Sequence, residues 1–279
     1  MKKRRVIVIS CIIAVLIIVI GVFIAMFNLK TISVEILKNP SIVEAYGEDV
    51  GQQIIDSGEF AYGSNVMFSS YKANEEKIEK AFPFVKIEKL VRKFPDKMTI
   101  YVSGRMPEAI VEDSGNPNRW YVVDIDFKVL AVLTNASELQ NDLYKNLPKV
   151  SGAEFSNLNA ADFVDNKMGA TVIRKILDGI YGEAQSPSSV MSGITMDLSK
   201  KECVITLRAG DIDGATISIN GFDYLTEKVF CAYHLYKTRY INDDIKYPNK
   251  SDLDLIVGND FVPVINEKVV EHDRRNDDE

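Results

Sequence analysis

The chain has 279 residues, with 33 Lys and Arg against 40 Asp and Glu, for a net charge of −7. That length accommodates one large domain or two modest ones. The acidic balance excludes a nucleic-acid binder built on a basic patch, and three cysteines are too few for a disulfide framework.

Residues 6–27, VIVISCIIAVLIIVIGVFIAMF, carry no charge. As a helix they reach roughly 33 Å, against about 30 Å for a hydrocarbon core. Lys2, Lys3, Arg4 and Arg5 precede them, and no acidic residue occurs before Glu35. A basic flank stays cytoplasmic, so the pattern predicts a membrane-embedded anchor with residues 1–5 inside and the body outside. A cleaved signal peptide is the competing reading, but Ile24-Ala25-Met26-Phe27 is a poor cleavage site and the run is too long.

Ile32, Val34 and Ile36 alternate with more polar neighbours and predict a strand. Asn39-Pro40 ends it. Ser41 and Glu44 have capping-box spacing, and Tyr46, Val50 and Ile54 continue a helix over 43–57. Gly63-Ser64-Asn65 reads as a turn, with 66–68 a brief extended piece. A second helix starts at Asn74, carries Ile78, Ala81 and Phe82 inward, and stops at Pro83. Strands over 85–92 and 98–103 flank Phe94-Pro95-Asp96-Lys97 and form a hairpin.

From Glu108 the chain turns mainly to strands, over 109–112, 119–123 and 129–133, with 147–152 irregular and extended. A helix spans 168–181, with Ile173, Ile176, Leu177 and Ile180 on one face. Three alternating strands follow, marked by Ile194, Met196 and Leu198, by Cys203, Ile205 and Leu207, and by Ala215, Ile217 and Ile219. Asp223 is positioned to cap a long helix bearing Leu225, Val229, Ala232, Tyr236 and Tyr240. Leu253, Leu255 and Val257 mark a strand, and Phe261 to Ile265 a last one, where Pro263 favours a sheet edge. Residues 267–279 have the charged composition of a disordered tail.

Reactive chemistry is sparse. The two histidines, His234 and His272, show no triad or metal-ligand spacing with Cys203 or Cys231. Those two cysteines are either a pair or two buried thiols, and Cys11 lies in the apolar run. No phosphate-binding glycine loop is present. Asp211-x-Asp213-Gly214 matches only a fragment of a calcium loop and reads as a hairpin tip. Asp124 and Asp126 have the spacing of an acid/base pair on one strand face, though a solvated face is the plainer reading. No cofactor and no catalytic or metal-ligating residue is expected.

The ordered motifs resemble the bacterial cell-division family FtsQ/DivIB. Gly63-Ser-Asn65-Val-Met-Phe68 is similar to the G-x-N-x-x-F turn of that family's membrane-proximal POTRA module. Phe82-Pro83-Phe84-Val85 resembles its P-x-V strand opening. Arg92-Lys-Phe-Pro95-Asp-Lys-Met-Thr-Ile100-Tyr-Val102 resembles its hairpin, and Arg105-Met-Pro107-Glu-Ala109 the R-x-P-x-A that follows. Val123-Asp124 with Val129-Leu130, and Leu147-Pro148-x-Val150-x-Gly152, resemble steps of its β domain. Asn39-Pro40, Gly104 and Phe127-Lys128 depart from the family pattern.

The resemblance implies an α+β chain: a transmembrane helix at 6–27, a POTRA-like β-α-α-β-β domain at 31–105, and a mainly antiparallel β domain with packed helices at 106–266. It implies a non-enzymatic divisome scaffold at the septal cell membrane. Its partners would be FtsB/DivIC-like and FtsL-like bitopic proteins and septal peptidoglycan synthase, with no nucleic acid. Strand addition would be the physical means, at an edge comprising Leu253, Leu255, Ile256, Val257, Phe261, Val262 and Val264. Arg105 is a further candidate contact, with a structural ion pair as its plainer reading. A POTRA-bearing transport or assembly factor, an anchored cell-wall enzyme and an anchored sensor are the alternatives.

Overall fold

The computed structural model describes residues 2–37, 41–164, 167–182, 184, 186–209, 212–238, 253–258 and 263–267. The chain divides into two units, Met1–Met106 and Pro107–Glu279.

In the first unit, α1 (Lys2–Met26) is followed by β1 (Thr31–Ile36), α2 (Ser41–Tyr46), α3 (Val50–Ser57), α4 (Lys72–Ala81), β2 (Val85–Lys93) and β3 (Lys97–Gly104). The sheet order is β1-β3-β2, with β1 parallel and β2 antiparallel to β3. Ile32, Met98, Ile100, Val102 and Val85 pack with Ile42, Val50, Ile54, Ile78 and Phe82 in one buried core. Each such aliphatic burial stabilises by about 2 kcal/mol. The helix expected over 43–57 is two helices. Gly47, at φ +85°, breaks it, and its amide donates to the Val43 carbonyl at 2.8 Å. Residues 66–68 form a turn. Just before them Asn65 forms a single antiparallel bridge to Asn28.

The expected transmembrane helix is corrected. Among the described residues no helix is long and apolar enough to cross a membrane.

The second unit holds one nine-stranded sheet. Its strands are β4 (Ala109–Asp113), β5 (Asn116–Val123), β6 (Val129–Leu133), β7 (Lys149–Phe155), β8 (Met191–Asp197), β9 (Glu202–Ala209), β10 (Ile212–Asn220), β11 (Leu253–Val257) and β12 (Pro263–Glu267), in spatial order β12-β11-β10-β9-β8-β7-β4-β5-β6. Five of its eight pairings are antiparallel, and three are parallel, namely β4 with β7, β7 with β8 and β10 with β11, so the sheet is mainly antiparallel with parallel joints. Helices α5 (Met168–Tyr181) and α6 (Leu225–Tyr236) share one core with the inward residues of the sheet: Ile173, Ile176, Leu177, Val229 and Ala232 join Val150, Ile194, Ile205 and Ile217.

The stretch expected to be irregular and extended, 147–152, contributes the start of β7, an interior strand between β8 and β4. β7 carries a bulge: Val111 pairs Val150 and Asp113 pairs Phe155. Gly152 sits in this bulge at φ +79°, and a Cβ placed there would lie 1.9 Å from the Met196 carbonyl oxygen. Both the dihedral and the close approach require glycine. Asp223 does not cap α6. Tyr224 holds the N-cap position, at φ +53°. Tyr240 lies outside the described residues.

A buried polar network braces the β4–β5 hairpin. The Tyr121 hydroxyl donates to Asp113 Oδ2, and the Gly115 amide donates to Asp113 Oδ1 at 2.7 Å. The Leu158 amide donates to the Tyr121 oxygen at 3.3 Å, and Arg119 donates to the Leu158 carbonyl at 2.6 Å. Burial alone would raise the Asp113 carboxyl. The Tyr121 hydroxyl, the backbone amides and Arg119 outweigh it and hold the group below its usual range.

Gly152→Ala should destabilise the full chain by at least about 3 kcal/mol, read as a lower denaturant midpoint in urea. Tyr121→Phe should cost about 2 kcal/mol, since it leaves a buried carboxylate short of a donor. Because the folded Asp113 carboxyl titrates below its unfolded counterpart, its contribution is complete above the ordinary value near 3.8 and is lost as pH falls through the folded value. The stability gap between wild type and Asp113→Asn should therefore be full at neutral pH and close in acid, measured by urea unfolding across pH.

Candidate partner-binding edge

Strand alternation gives the larger sheet two different faces. Leu255 and Val257 point into the helix-covered core with Ile217, Ile219 and Cys203, and are fully buried. On the other face a cross-strand row runs through Ser151, Thr195, Val204, Ser218, Ile256 and Val264, each paired with the next. Thr195 and Val204 are exposed, and Ser218 and Ile256 are half-buried. Near β4 and β5 this face is closed, since Ile110 and Val122 are buried, as are Leu133, Leu139, Tyr144 and Leu147.

The two ends of the sheet also differ. At β6, the Val129 amide donates to the Asp162 carbonyl at 2.8 Å, the Ala161 amide to the Val129 carbonyl at 2.7 Å, and Lys128 bridges Phe163. The 161–164 segment thus occupies the start of that edge. At the opposite end β12 is outermost among the described residues, paired antiparallel to β11 from Leu253↔Glu267 to Val257↔Pro263. Pro263 lacks an N–H and is compatible with an end strand.

Of the predicted contact residues, Leu253, Leu255, Ile256 and Val257 lie on β11, an interior strand between β10 and β12, and Val264 lies on β12. Leu255 and Val257 are therefore core residues, whereas Ile256 faces the open side. Phe261 and Val262 lie outside the described residues. Arg105 is buried in the first unit. Its guanidinium is 3.5 Å from Glu79, its amide donates to the Phe84 carbonyl at 2.8 Å, and Glu79 accepts the Ile87 amide at 2.9 Å. Arg105 ties α4 to the ends of β2 and β3 and is removed from the contact surface.

The other chemistry-bearing residues are taken up by local structure. Asp124 and Asp126 do not share a strand face, because β5 ends at Val123 and both sit in the turn to β6. Asp124 is buried and accepts the Lys128 amide at 2.8 Å. Sequence reasoning missed Glu108, whose carboxyl is raised by burial and by Asp124, against a hydrogen bond from Tyr181. Periodicity gives no signal for this meeting, because Glu108 and Tyr181 are distant in the chain. Cys203 and Cys231 are free thiols. Burial pushes the Cys203 thiol up to about 12, against the opposing charge of Lys228, so it stays protonated and weakly nucleophilic. His234 is exposed on α6 and stacks on Phe230. Among the described residues no group of three or more His, Cys, Asp or Glu is placed to hold a metal ion. Residues 210–211 of the calcium-loop fragment, His272 and the charged tail beyond 267 lie outside the described residues.

No family model matches the chain, and a search of curated proteins found no match.

Proposed function

We propose that this chain is a non-enzymatic scaffold that captures a partner segment by strand addition along β12. The observation that carries the proposal is the asymmetry of the nine-stranded sheet: the 161–164 segment occupies the β6 end, whereas β12 is the outermost strand of the other. An end strand offers a row of backbone donors and acceptors to an incoming extended segment. Ile256, half-buried on the open face of the neighbouring strand, supplies a side-chain contact beside it.

The sequence motifs favour membership of the FtsQ/DivIB family, with FtsB/DivIC-like and FtsL-like bitopic proteins as partners. Septal peptidoglycan synthase would be reached through them. The first unit adds support through its order of one strand, three helices and two strands after α1, and through its β1-β3-β2 sheet. In this reading the protein works at the bacterial cell membrane, concentrated at the division septum, and influences septal wall synthesis by holding its partners.

The test is capture of the tagged FtsB/DivIC-like partner by the full chain. Ile256→Glu should weaken capture at least about tenfold, with the circular dichroism spectrum unchanged. Phe261→Glu should act in the same direction. Thr195→Glu, on the same open face about 14 Å from β11, should leave capture intact. Undiminished capture by folded Ile256→Glu overturns the site. A fluorescent fusion spread evenly around the cell overturns the septal placement.

A further inference from the structure

The segment joining α1 to β1 is clasped by two loops. The Val66 amide donates to the Phe27 carbonyl at 2.7 Å, the Leu29 amide to the Ser64 carbonyl at 2.8 Å, and the Gly63 amide to the Leu29 carbonyl at 2.9 Å. From the β2–β3 hairpin, the Asp96 carbonyl accepts the Lys30 amide at 2.8 Å, and the Phe94 ring meets the Phe27 ring edge-on at 5.6 Å. Arg92 ties the loops to each other, donating to the Met67 carbonyl at 3.3 Å and the Ser69 carbonyl at 2.7 Å. These bonds hold the 62–68 loop and the 94–96 turn beside the end of α1.

Four side chains on these loops, Tyr62, Met67, Phe68 and Phe94, are large and exposed. Phe68 is 79% exposed, Tyr62 58% and Phe94 57%, and Met67 is exposed beside them. A concentration of large exposed apolar side chains marks a contact surface. The adjoining stretch of α1 indicates what covers it. All residues 12–22 are exposed, and all are apolar. At 100° per residue they point in every direction around the helix axis. A protein groove covers one stripe of a helix, whereas a lipid layer accepts apolar surface from any side.

We infer that the 62–68 loop and the 94–96 turn of the first unit rest in the interfacial layer of a lipid bilayer, with Phe68, Phe94 and Tyr62 inserted among the headgroups and upper acyl chains. No crossing by α1 is required. Aromatic rings are favoured at that depth, and partial insertion buries their apolar area without burying backbone. Lys30 and Lys93 flank the cluster but are paired with Asp96 at 3.3 Å and Glu35 at 3.4 Å, so the apolar rings rather than charge carry the contact. The loops fix how the first unit meets the membrane, because they are bonded to the residues that immediately follow α1. This inference goes beyond the scaffold reading and rests on a different unit of the chain.

The experiment places a single tryptophan in the full chain, bound to phosphatidylcholine–phosphatidylglycerol vesicles. The one native tryptophan, Trp120, is replaced in a Trp120→Phe background. Phe68→Trp is compared with Leu37→Trp, an exposed position roughly 20 Å along β1 from the clasp. Lipids brominated on their acyl chains should quench the Phe68→Trp variant about threefold more than the Leu37→Trp variant, with blue-shifted emission in the former alone. A Phe94→Trp variant should behave as Phe68→Trp. Equal quenching at the loops and at position 37, strong or weak, overturns the inference, and neither result bears on partner capture at β12.

Discussion

The larger sheet depends on β7. On one side of it stand β4, β5 and β6, joined by antiparallel pairing, and on the other β8, β9 and β10, likewise antiparallel. Each set is a meander that forms from local turns. β7 alone connects them, through two parallel pairings that no short turn supplies. The junction is made by close approach: Gly152 meets the Met196 carbonyl on one side, and Gly169 at the start of α5 lies against the Ala153 carbonyl. Backbone packed so tightly leaves no room for a side chain, so the sheet's continuity is set by two missing methyl groups rather than by a large apolar residue.

This explains which parts of the fold were legible in the sequence. β8, β9 and β10 show period-two alternation over a half-buried face, and α5 shows period-3.6 spacing over a single core, so their positions follow from pattern alone. β7 has neither signal. Pro148 and Gly152 punctuate it, and residues of that type ordinarily mark loops. The long helix expected over 43–57 failed for the opposite reason, since its apolar spacing continues across Gly47 while the backbone turns there. Asp223 has the chemistry of a cap, but Tyr224 in the left-handed region takes the position. Of the contact surface, the existence of terminal strands was legible. Which of them is outermost was not, because strand order depends on the parallel β10–β11 pairing across residues 221–252.

Buried polar residues are bound largely to the backbone. Lys228, fully buried, donates to the carbonyls of Asn220 and Gly221 at 3.0 Å each and so fastens α6 to the end of β10. Asp124 closes the β5–β6 turn, Asp113 the β4–β5 hairpin, and Glu79 with Arg105 the meeting of α4 with β2 and β3. A buried charge is tolerated when specific donors or acceptors compensate it. In each case the compensating group is wholly or partly main chain, so these residues hold turns and element ends in register.

What such a framework leaves available is its margin. An end strand is a hazard unless covered, charged or used, because any extended segment of matching length can pair with it. Coverage at β6 by 161–164 shows one solution within the same sheet. At β12 the outermost strand is short and begins with proline, which limits how many backbone bonds an intruder can form. A partner that pairs there must gain the rest of its affinity from side chains on the open face, where the row from Val204 to Ile256 is small and weakly apolar. Backbone pairing would supply orientation and register, and the identity of the residues beside it would supply selection among partners.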